Sequence, residues 1–452
     1  MPWHENLRKE DERMNLLRDK VPGLYFKMLF SALGSMIVTT IYSSVDCICI
    51  GQYAGPLGSA AVACVNPLWP IMLAPGFLVG VGGAIMMNNR RGSGNLQDAD
   101  GYFSLSFFFA LFMSVVIGVS FIVFPEKILG FFGAEGEVLT ASLEYMRPLA
   151  ISAPTFTMCA MVTPFIRGDG ESVTPTVATI IGGVVNVFGD IFFVFDFGLG
   201  LGLFGAGLAT AIGQTTSFIL IVLYFLRKKC KLKLTKPDKI LEKFKHIFSV
   251  GLPAFVIELS GGIVGLVFIR VISKGLSEAH LAVYGTASTV LVLFYCLFYA
   301  TGTALQPIVA TSHGAGNPER SRSALKIALT CATVLGIIFF TATQLLPELI
   351  LRFYMDVTDE VLTIGKNIIM IYTAALPITG ISIVASYYMQ SVLRHNASVL
   401  ISLLRGLLLP VVFVLFLPCA FSYNAIWWAI PLAELVTLIV SSVILILDKK
   451  RA

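Results

Sequence analysis

Apolar residues run through this chain in long stretches, interrupted by short polar breaks. A helix that crosses the hydrocarbon core of a bilayer needs about 20 mainly apolar residues. Stretches of that kind lie near residues 24–50, 60–87, 102–124, 139–165, 174–195 and 203–226. A second set lies near 248–272, 281–311, 324–346, 361–390, 398–417 and 425–447. The pattern predicts about twelve membrane spans. Composition agrees: of 452 residues, 56% are hydrophobic and 13% charged, against roughly 25% charged in soluble domains. A soluble fold of this size could not hide that much apolar surface, which excludes nucleic-acid binding, secretion and disorder as leading readings. The expectation is a multi-pass protein of the cell's inner (plasma) membrane, with the lipid bilayer as its surroundings and no nucleic-acid partner.

The net charge of +5 is modest, and its placement says more than its size. The first twenty residues show no apolar core followed by a small-residue cleavage site, so the first apolar segment is expected to stay as a membrane helix. With both termini placed in the cytoplasm, the inner connections hold six bases between Arg8 and Lys27, then Arg90, Arg91 and Arg167. They continue with a dense run from Arg227 to Lys245, then Arg320, Arg322, Lys326, Arg394, Lys449, Lys450 and Arg451. The opposite side holds Lys127, Lys274, Arg352 and Lys366 among acids such as Glu126, Glu135, Glu137, Asp356, Asp359 and Glu360. That asymmetry follows the positive-inside rule. Arg147 and Arg270 fall toward outer helix ends, where they can snorkel.

The run from Arg227 to Lys245 reads as a solvated basic linker, dividing the chain into a first lobe (1–226), a linker (227–247) and a second lobe (248–452). The halves repeat. Arg91-Gly92-Ser93-Gly94-Asn95 follows the second span, and His313-Gly314-Ala315-Gly316-Asn317 follows the eighth. Ile166-Arg167-Gly168-Asp169 follows the fourth, and Leu393-Arg394-His395-Asn396 follows the tenth. Because each half holds an even number of spans, the copies insert the same way up, as in duplicated transporters. The predicted fold is therefore an all-α membrane protein with about twelve transmembrane helices in two pseudo-symmetric six-helix lobes and a cleft between them.

Charges at bilayer depth are costly and default to function. Asp46 falls late in the first span and Asp190 late in the fifth, with Asn186 one turn before Asp190 on the same helix face. Both acids lie in the outer halves of spans running in one direction, so they can meet inside the first lobe. Two carboxyl groups and an amide in a dry site suit a proton; with Thr210 nearby they also suit a hard cation such as sodium. The alternative is a structural hydrogen-bond group locking the two helices together. In the second half Glu258, Arg405 and Glu434 are intramembrane, and Arg405 can pair with Glu258 or Glu434. Tyr42, Tyr145 and Tyr295 can line a cavity and hold a cation on a ring face.

Other signals carry little. The eight cysteines include no CxxC, and the five histidines are scattered, so no metal centre is expected beyond a possible sodium ion. Gly200-Leu201-Gly202-Leu203-Phe204-Gly205 fits GxGxxG but joins two membrane spans without a βαβ unit. Asn396-Ala397-Ser398 fits the glycosylation pattern but falls on the inner side. Without a Walker A sequence or a sizeable soluble domain, ATP-driven transport by this chain alone is excluded.

Taken in order, the motifs resemble the multidrug and toxic-compound extrusion (MATE) antiporters. They are Tyr42, Val45 and Asp46 running into Ile50-Gly51; Arg91 to Asn95; Ile166 to Gly170; Asn186 with Asp190; Gly205 to Thr210; Gln306-Pro307 leading to Gly314 to Asn317; and Leu403 to Arg405. The resemblance covers nearly the whole chain. It implies export of small cationic or amphiphilic compounds in exchange for protons or sodium ions by alternating access, with no other cofactor and no enzymatic activity. Asp46, Asn186, Asp190 and Thr210 fall at the implied cation site. Tyr42, Tyr145, Thr163, Gln306, Tyr295, Arg405 and Glu258 are the substrate-cavity candidates, and a monomer is expected. Ser31 stands where many members have a proline in the first helix, and Thr163 where an Asn is usual. A flippase for a lipid-linked sugar is the alternative of related architecture; a membrane-embedded enzyme is a more distant one.

Overall fold

The computed structural model describes residues 14–226, 230–354 and 359–451. Of the positions weighed above, Arg8, Arg227 and Asp356 lie outside the described residues, as do the side chains of Asp359, Glu360, Lys449, Lys450 and Arg451. Among the described residues all regular structure is helical. The first half contains α1 (Val21–Val65), α2 (Leu68–Gly92), α3 (Leu96–Val123), α4 (Pro125–Phe131), α5 (Gly136–Gly168), α6 (Val173–Val194) and α7 (Gly202–Phe225). Then come α8 (Ile240–Gly275), α9 (Glu278–Gly314), α10 (Pro318–Leu345), α11 (Pro347–Tyr354), α12 (Asp359–Tyr372) and α13 (Leu376–Ser391). The chain finishes with α14 (His395–Leu403), α15 (Leu409–Ala420) and α16 (Ala429–Arg451).

Eleven helical stretches among these are long and apolar enough to cross a membrane, the first being a 72-residue run from Val21 to Gly92. A straight helix of that length would measure about 108 Å, far more than the roughly 30 Å hydrocarbon core. The run folds back on itself at Gly55, whose φ of 57° and ψ of −136° leave helical geometry immediately before Pro56. A methyl built on Gly58 would sit 2.9 Å from the Ile50 carbonyl oxygen, whereas residues eight apart in a continuous helix are separated by about 12 Å. Counting the two arms separately gives twelve spans among the described residues, as the apolar pattern predicts.

The span ends differ from expectation in informative ways. The tenth span is broken between α12 and α13, just ahead of Pro377, where the ring removes a backbone donor. The eleventh carries a π-helical turn, Leu404–Leu408, between α14 and α15, a local widening that re-aims side chains.

The central connection keeps Lys231, Lys233, Lys236 and Lys239 exposed, as its charge predicts, but its backbone is docked. Helix α8 already starts at Ile240, and Leu232 and Lys243 are buried. The Lys231 amide donates to Asp169 Oδ2 at 3.2 Å and the Thr235 amide to Ser104 Oγ at 2.8 Å. Lys243 Nζ lies 2.8 Å from Asp98. The basic run docks because Asp98, Asp100 and Asp169 give this end of the first half a cluster of carboxylates, and a repeating Lys pattern complements it.

The chain divides into two compact units, Met1–Phe255 and Val256–Ala452, with the boundary inside α8. The repeat visible in the sequence recurs as local geometry in each. Gly94 and Gly316 take positive φ (83° and 66°), and the next residue caps the following helix. Asn95 Oδ1 accepts from the Asp98 amide at 3.2 Å, and Asn317 Oδ1 from the Arg320 amide at 3.0 Å. Each unit has its own apolar core. In the second, Phe268 stacks on Tyr284 with centroids 5.0 Å apart, and Tyr372 meets Phe268 edge-on at 5.8 Å.

Candidate functional site

In the first unit, α1 and α6 are joined along their length by polar and small residues. Ser31 Oγ donates to the Ser172 carbonyl at 2.6 Å, and Thr176 Oγ1 donates to the Ser31 carbonyl at 2.8 Å. Ser31 therefore forms a hydroxyl clasp between two helices. Further along, Gly183 packs against the Tyr42 ring. Helices α6 and α7 approach at Gly182 and Gly213: a methyl on Gly182 would sit 2.5 Å from the Gly213 carbonyl oxygen. Small residues permit that approach in a lipid-surrounded bundle.

This packing brings Asp46, Tyr145, Asn186, Asp190 and Thr210 together, from α1, α5, α6 and α7. Asp46 is 7% exposed and Asp190 fully buried. Tyr145 donates its hydroxyl to Asp46 Oδ2 at 2.7 Å, and Asn186 Nδ2 donates to Thr210 Oγ1 at 3.1 Å. The Asp46 and Asp190 carboxyls lie within hydrogen-bonding reach of each other, and Tyr42 stands beside Asp46. Among the described residues no Lys, Arg or His pairs with either acid. Apart from the contact between the two carboxyls, Asp46 Oδ1, both Asp190 oxygens and Asn186 Oδ1 meet no donor.

Four buried oxygens that accept and find nothing to accept from are an unfinished arrangement. A proton placed between the carboxyls completes it by turning one oxygen into a donor. A hard cation completes it by taking several oxygens as ligands, with Thr210 Oγ1 as a further one. The donor set fits either ion.

The second unit treats charge differently. Arg405, on the π-helical turn, lies with its Nε 2.9 Å from Glu434 Oε1. Tyr295 donates to the same carboxylate at 3.3 Å, and Arg405 Nη1 donates to the Tyr299 hydroxyl at 3.1 Å. The guanidinium stands 4.7 Å from the Tyr295 ring centroid and 5.6 Å from that of Tyr299. Of the two partners open to Arg405, Glu434 is the one in contact. Glu258 is half-buried near Tyr387 and makes no ion pair among the described residues.

The remaining cavity candidates do not join these groups. Gln306 donates Nε2 to Gln390 Oε1 at 2.7 Å inside the second unit, and Thr163 is half-buried on α5. Sequence reasoning missed Gln390, whose amide carries no charge to mark it in an apolar stretch. It also missed the cluster at the basic end of the first unit, where Arg91 Nη1 meets Asp169 Oδ1 at 2.7 Å and Tyr224 donates to Asp169 Oδ2 at 2.6 Å. Arg91 and Asp169 were visible as repeat markers, and their opposite charges were the signal that they meet.

A duplicated bundle of twelve spans with a bare acid pair in one unit is the architecture of a multi-pass membrane transporter. The chain belongs to the MatE family, whose profile matches residues 32–192 and 253–416, well over half of its length. It is 22% identical over 409 residues to the multidrug export protein MepA of Staphylococcus haemolyticus (strain JCSC1435), covering 89% of this chain and 88% of that one. Among solved structures it superposes on the MATE multidrug transporter DinF-BH, with a TM-score of 0.88, 27% identity and coverage of 97% and 98%. An outward-facing multidrug resistance MATE transporter of the MOP superfamily matches with a TM-score of 0.88 at 21% identity, over 95% of this chain and 96% of that one. These relatives are multidrug transporters.

Proposed function

We propose that this protein is a secondary active exporter of small cationic amphiphiles, driven by inward movement of protons or sodium ions through alternating access. Both termini face the cytoplasm in this reading, on the strength of the Lys and Arg distribution. Asp46 and Asp190 take up the coupling ion, with Asn186 and Thr210 completing its shell and Tyr145 orienting Asp46. The observation that carries the reading is the buried carboxyl pair without a base. An acid pair kept bare at membrane depth is costly and is retained where it has a task.

Coupling follows from competition. An ion entering from outside fills the pair and removes one unit of its negative charge, which alters how α1 packs against α6. That state holds a cationic compound less well, and the compound leaves to the outside. When the ion departs to the cytoplasm the pair regains charge and affinity for the next cation. Differential affinity of the two states for ion and drug is what links the flows.

The lipid-linked sugar flippase is less well supported, because a pyrophosphate needs free bases and the deep Arg405 is neutralised by Glu434.

The test is efflux of a fluorescent cation from proteoliposomes under imposed pH and sodium gradients, applied separately. Wild type should respond to one of them. Asp190→Asn should lose the response while expression and monodispersity stay near normal. Gradient-driven efflux by Asp190→Asn at wild-type rate would overturn the assignment.

A further inference from the structure

The two units end differently at their base-bearing face. In the first unit, the corner formed by the ends of α2, α5 and α7 and the start of α3 is filled by residues 230–238. Arg91 Nη2 donates to the Lys231 carbonyl at 3.2 Å, the Lys231 amide reaches Asp169, and the Thr235 amide reaches Ser104. Leu232 is buried in the same corner, and Lys233 lies near Asp100. A basic segment thus occupies an acidic corner.

In the second unit the equivalent corner, between α9, α10, α13 and α16, is among the described residues an open groove of about 980 Å³. The repeat register aligns Arg91 to Asn95 with His313 to Asn317, an offset that carries Asp100 onto Arg322 and Ser104 onto Lys326. The carboxylate near Lys233 and the hydroxyl that receives the linker are therefore replaced by two bases. The groove's charge is inverted, and a Lys-rich segment cannot fill it. Arg322 and Lys326 share one face of α10, one turn apart, and neither makes an ion pair among the described residues. Arg394 is already engaged by Asp448 at 3.0 Å, and Glu319 stands at the rim as the other acid.

Below the two bases the lining turns apolar, with Leu325 and Leu329 on α10 and Leu445 and Ile446 on α16. Further along the helices, Ile337 of α10 and Ile439 and Val443 of α16 are exposed apolar side chains. Surfaces of that kind on a membrane protein are covered by acyl chains. A ligand with an anionic head and an apolar tail matches both ends of the groove, which a free anion or an acidic peptide does not.

We propose that this groove binds an anionic phospholipid, its phosphate between Arg322 and Lys326 and its acyl chain along Leu325 and Leu329. The lipid takes the place in the second unit that residues 230–238 hold in the first. Basic recesses between membrane helices recognise anionic headgroups in this way. The site requires membrane embedding only, and stands or falls separately from the ion-coupling assignment.

The test uses the full-length protein, delipidated in detergent, titrated with phosphatidylglycerol and with phosphatidylcholine and read by native mass spectrometry. Wild type should retain phosphatidylglycerol in preference. Lys326→Gln, at an exposed position, should weaken that binding about fivefold, and Arg322→Gln/Lys326→Gln about 25-fold. Lys127→Gln, outside the groove, should leave it unchanged. Should the double variant fold poorly, the single Lys326→Gln change decides. Equal retention of the two lipids, or phosphatidylglycerol binding untouched by Lys326→Gln, would overturn the proposal. So would displacement of the lipid by millimolar inorganic phosphate, which would mark a free-anion site, or a dimer lost on Lys326→Gln, which would mark a second copy as the occupant.

Discussion

The two units share a topology and a repeat register, yet they treat buried charge in opposite ways. The first holds Asp46 and Asp190 against each other with no base among the described residues. The second holds Glu434 against Arg405, with one hydrogen bond each to Tyr295 and Tyr299. The buried Arg405 charge has its partner ion built into the chain, although Arg405 Nη2 and Glu434 Oε2 meet no hydrogen-bond partner. A bare acid pair is unfinished and takes its partner from solution. From duplicated scaffolds of similar helical layout, side-chain chemistry alone makes one unit a seat for an exchangeable ion and the other a fixed electrostatic joint.

The largest effect should come from removing the exchangeable seat. Asp46→Asn/Asp190→Asn is expected to bring gradient-driven efflux of a fluorescent cation down to the protein-free background, while the protein remains monodisperse. Persistence of a gradient response in that variant would erase the distinction between the units.

Next in size is the fixed joint. Arg405→Met alone leaves Glu434 buried and unpaired, which should cost about 3–5 kcal/mol, read as a large drop in Tm in detergent. Arg405→Met/Glu434→Leu should recover most of that loss and keep the gradient response. If the double variant folds well but loses coupling, the Arg405–Glu434 pair belongs to the transport machinery and the contrast is wrong.

Tyr145→Phe removes the hydroxyl that donates to Asp46 and keeps the ring. A hydrogen bond to a charged group is worth about 1.5–3 kcal/mol, so the drop in Tm should be smaller than that of Arg405→Met, with efflux slowed but still gradient-dependent. Wild-type Tm and wild-type efflux together would show that the hydroxyl does not orient the acid.

The smallest effect belongs to Glu348, an exposed acid outside the spans. Hydrogen bonds from Lys366 and then Arg352 hold the Glu348 carboxyl below its usual range. A lowered acid contributes stability at neutral pH, and loses it as pH falls through the lowered value. Because the group is exposed, Glu348→Gln should shift Tm at pH 7 by no more than experimental scatter. A clear shift, or one that grows toward acid pH, would contradict that sign.

Much of this could be seen in the residues before any coordinates. The span pattern depends on apolar length, which is a local property, and the order of motifs carried the family. Asp46 and Asp190 stood out because charge is scarce in apolar stretches, and Asn186 because i,i+4 spacing places it on one face with Asp190. Other features depended on three-dimensional packing. Arg405 had two acids within plausible reach, and its π-helical turn, not its position in sequence, aimed it at Glu434. The basic connection keeps its lysines in solvent, as like charges prefer, but its backbone docks on Asp169 and Ser104, a contact that exists only once the ends of α3 and α5 come together.

The sequence by itself determined that this chain crosses a membrane about twelve times, is internally duplicated, and carries acids at a depth where charge is expensive. Each is a consequence of burial cost, which acts residue by residue and so is written in order along the chain. Tertiary structure decided which charges are balanced. Coulomb attraction and hydrogen bonding act over a few ångströms, and residues 99 apart such as Asp46 and Tyr145, or 29 apart such as Arg405 and Glu434, come within that range only when the helices pack.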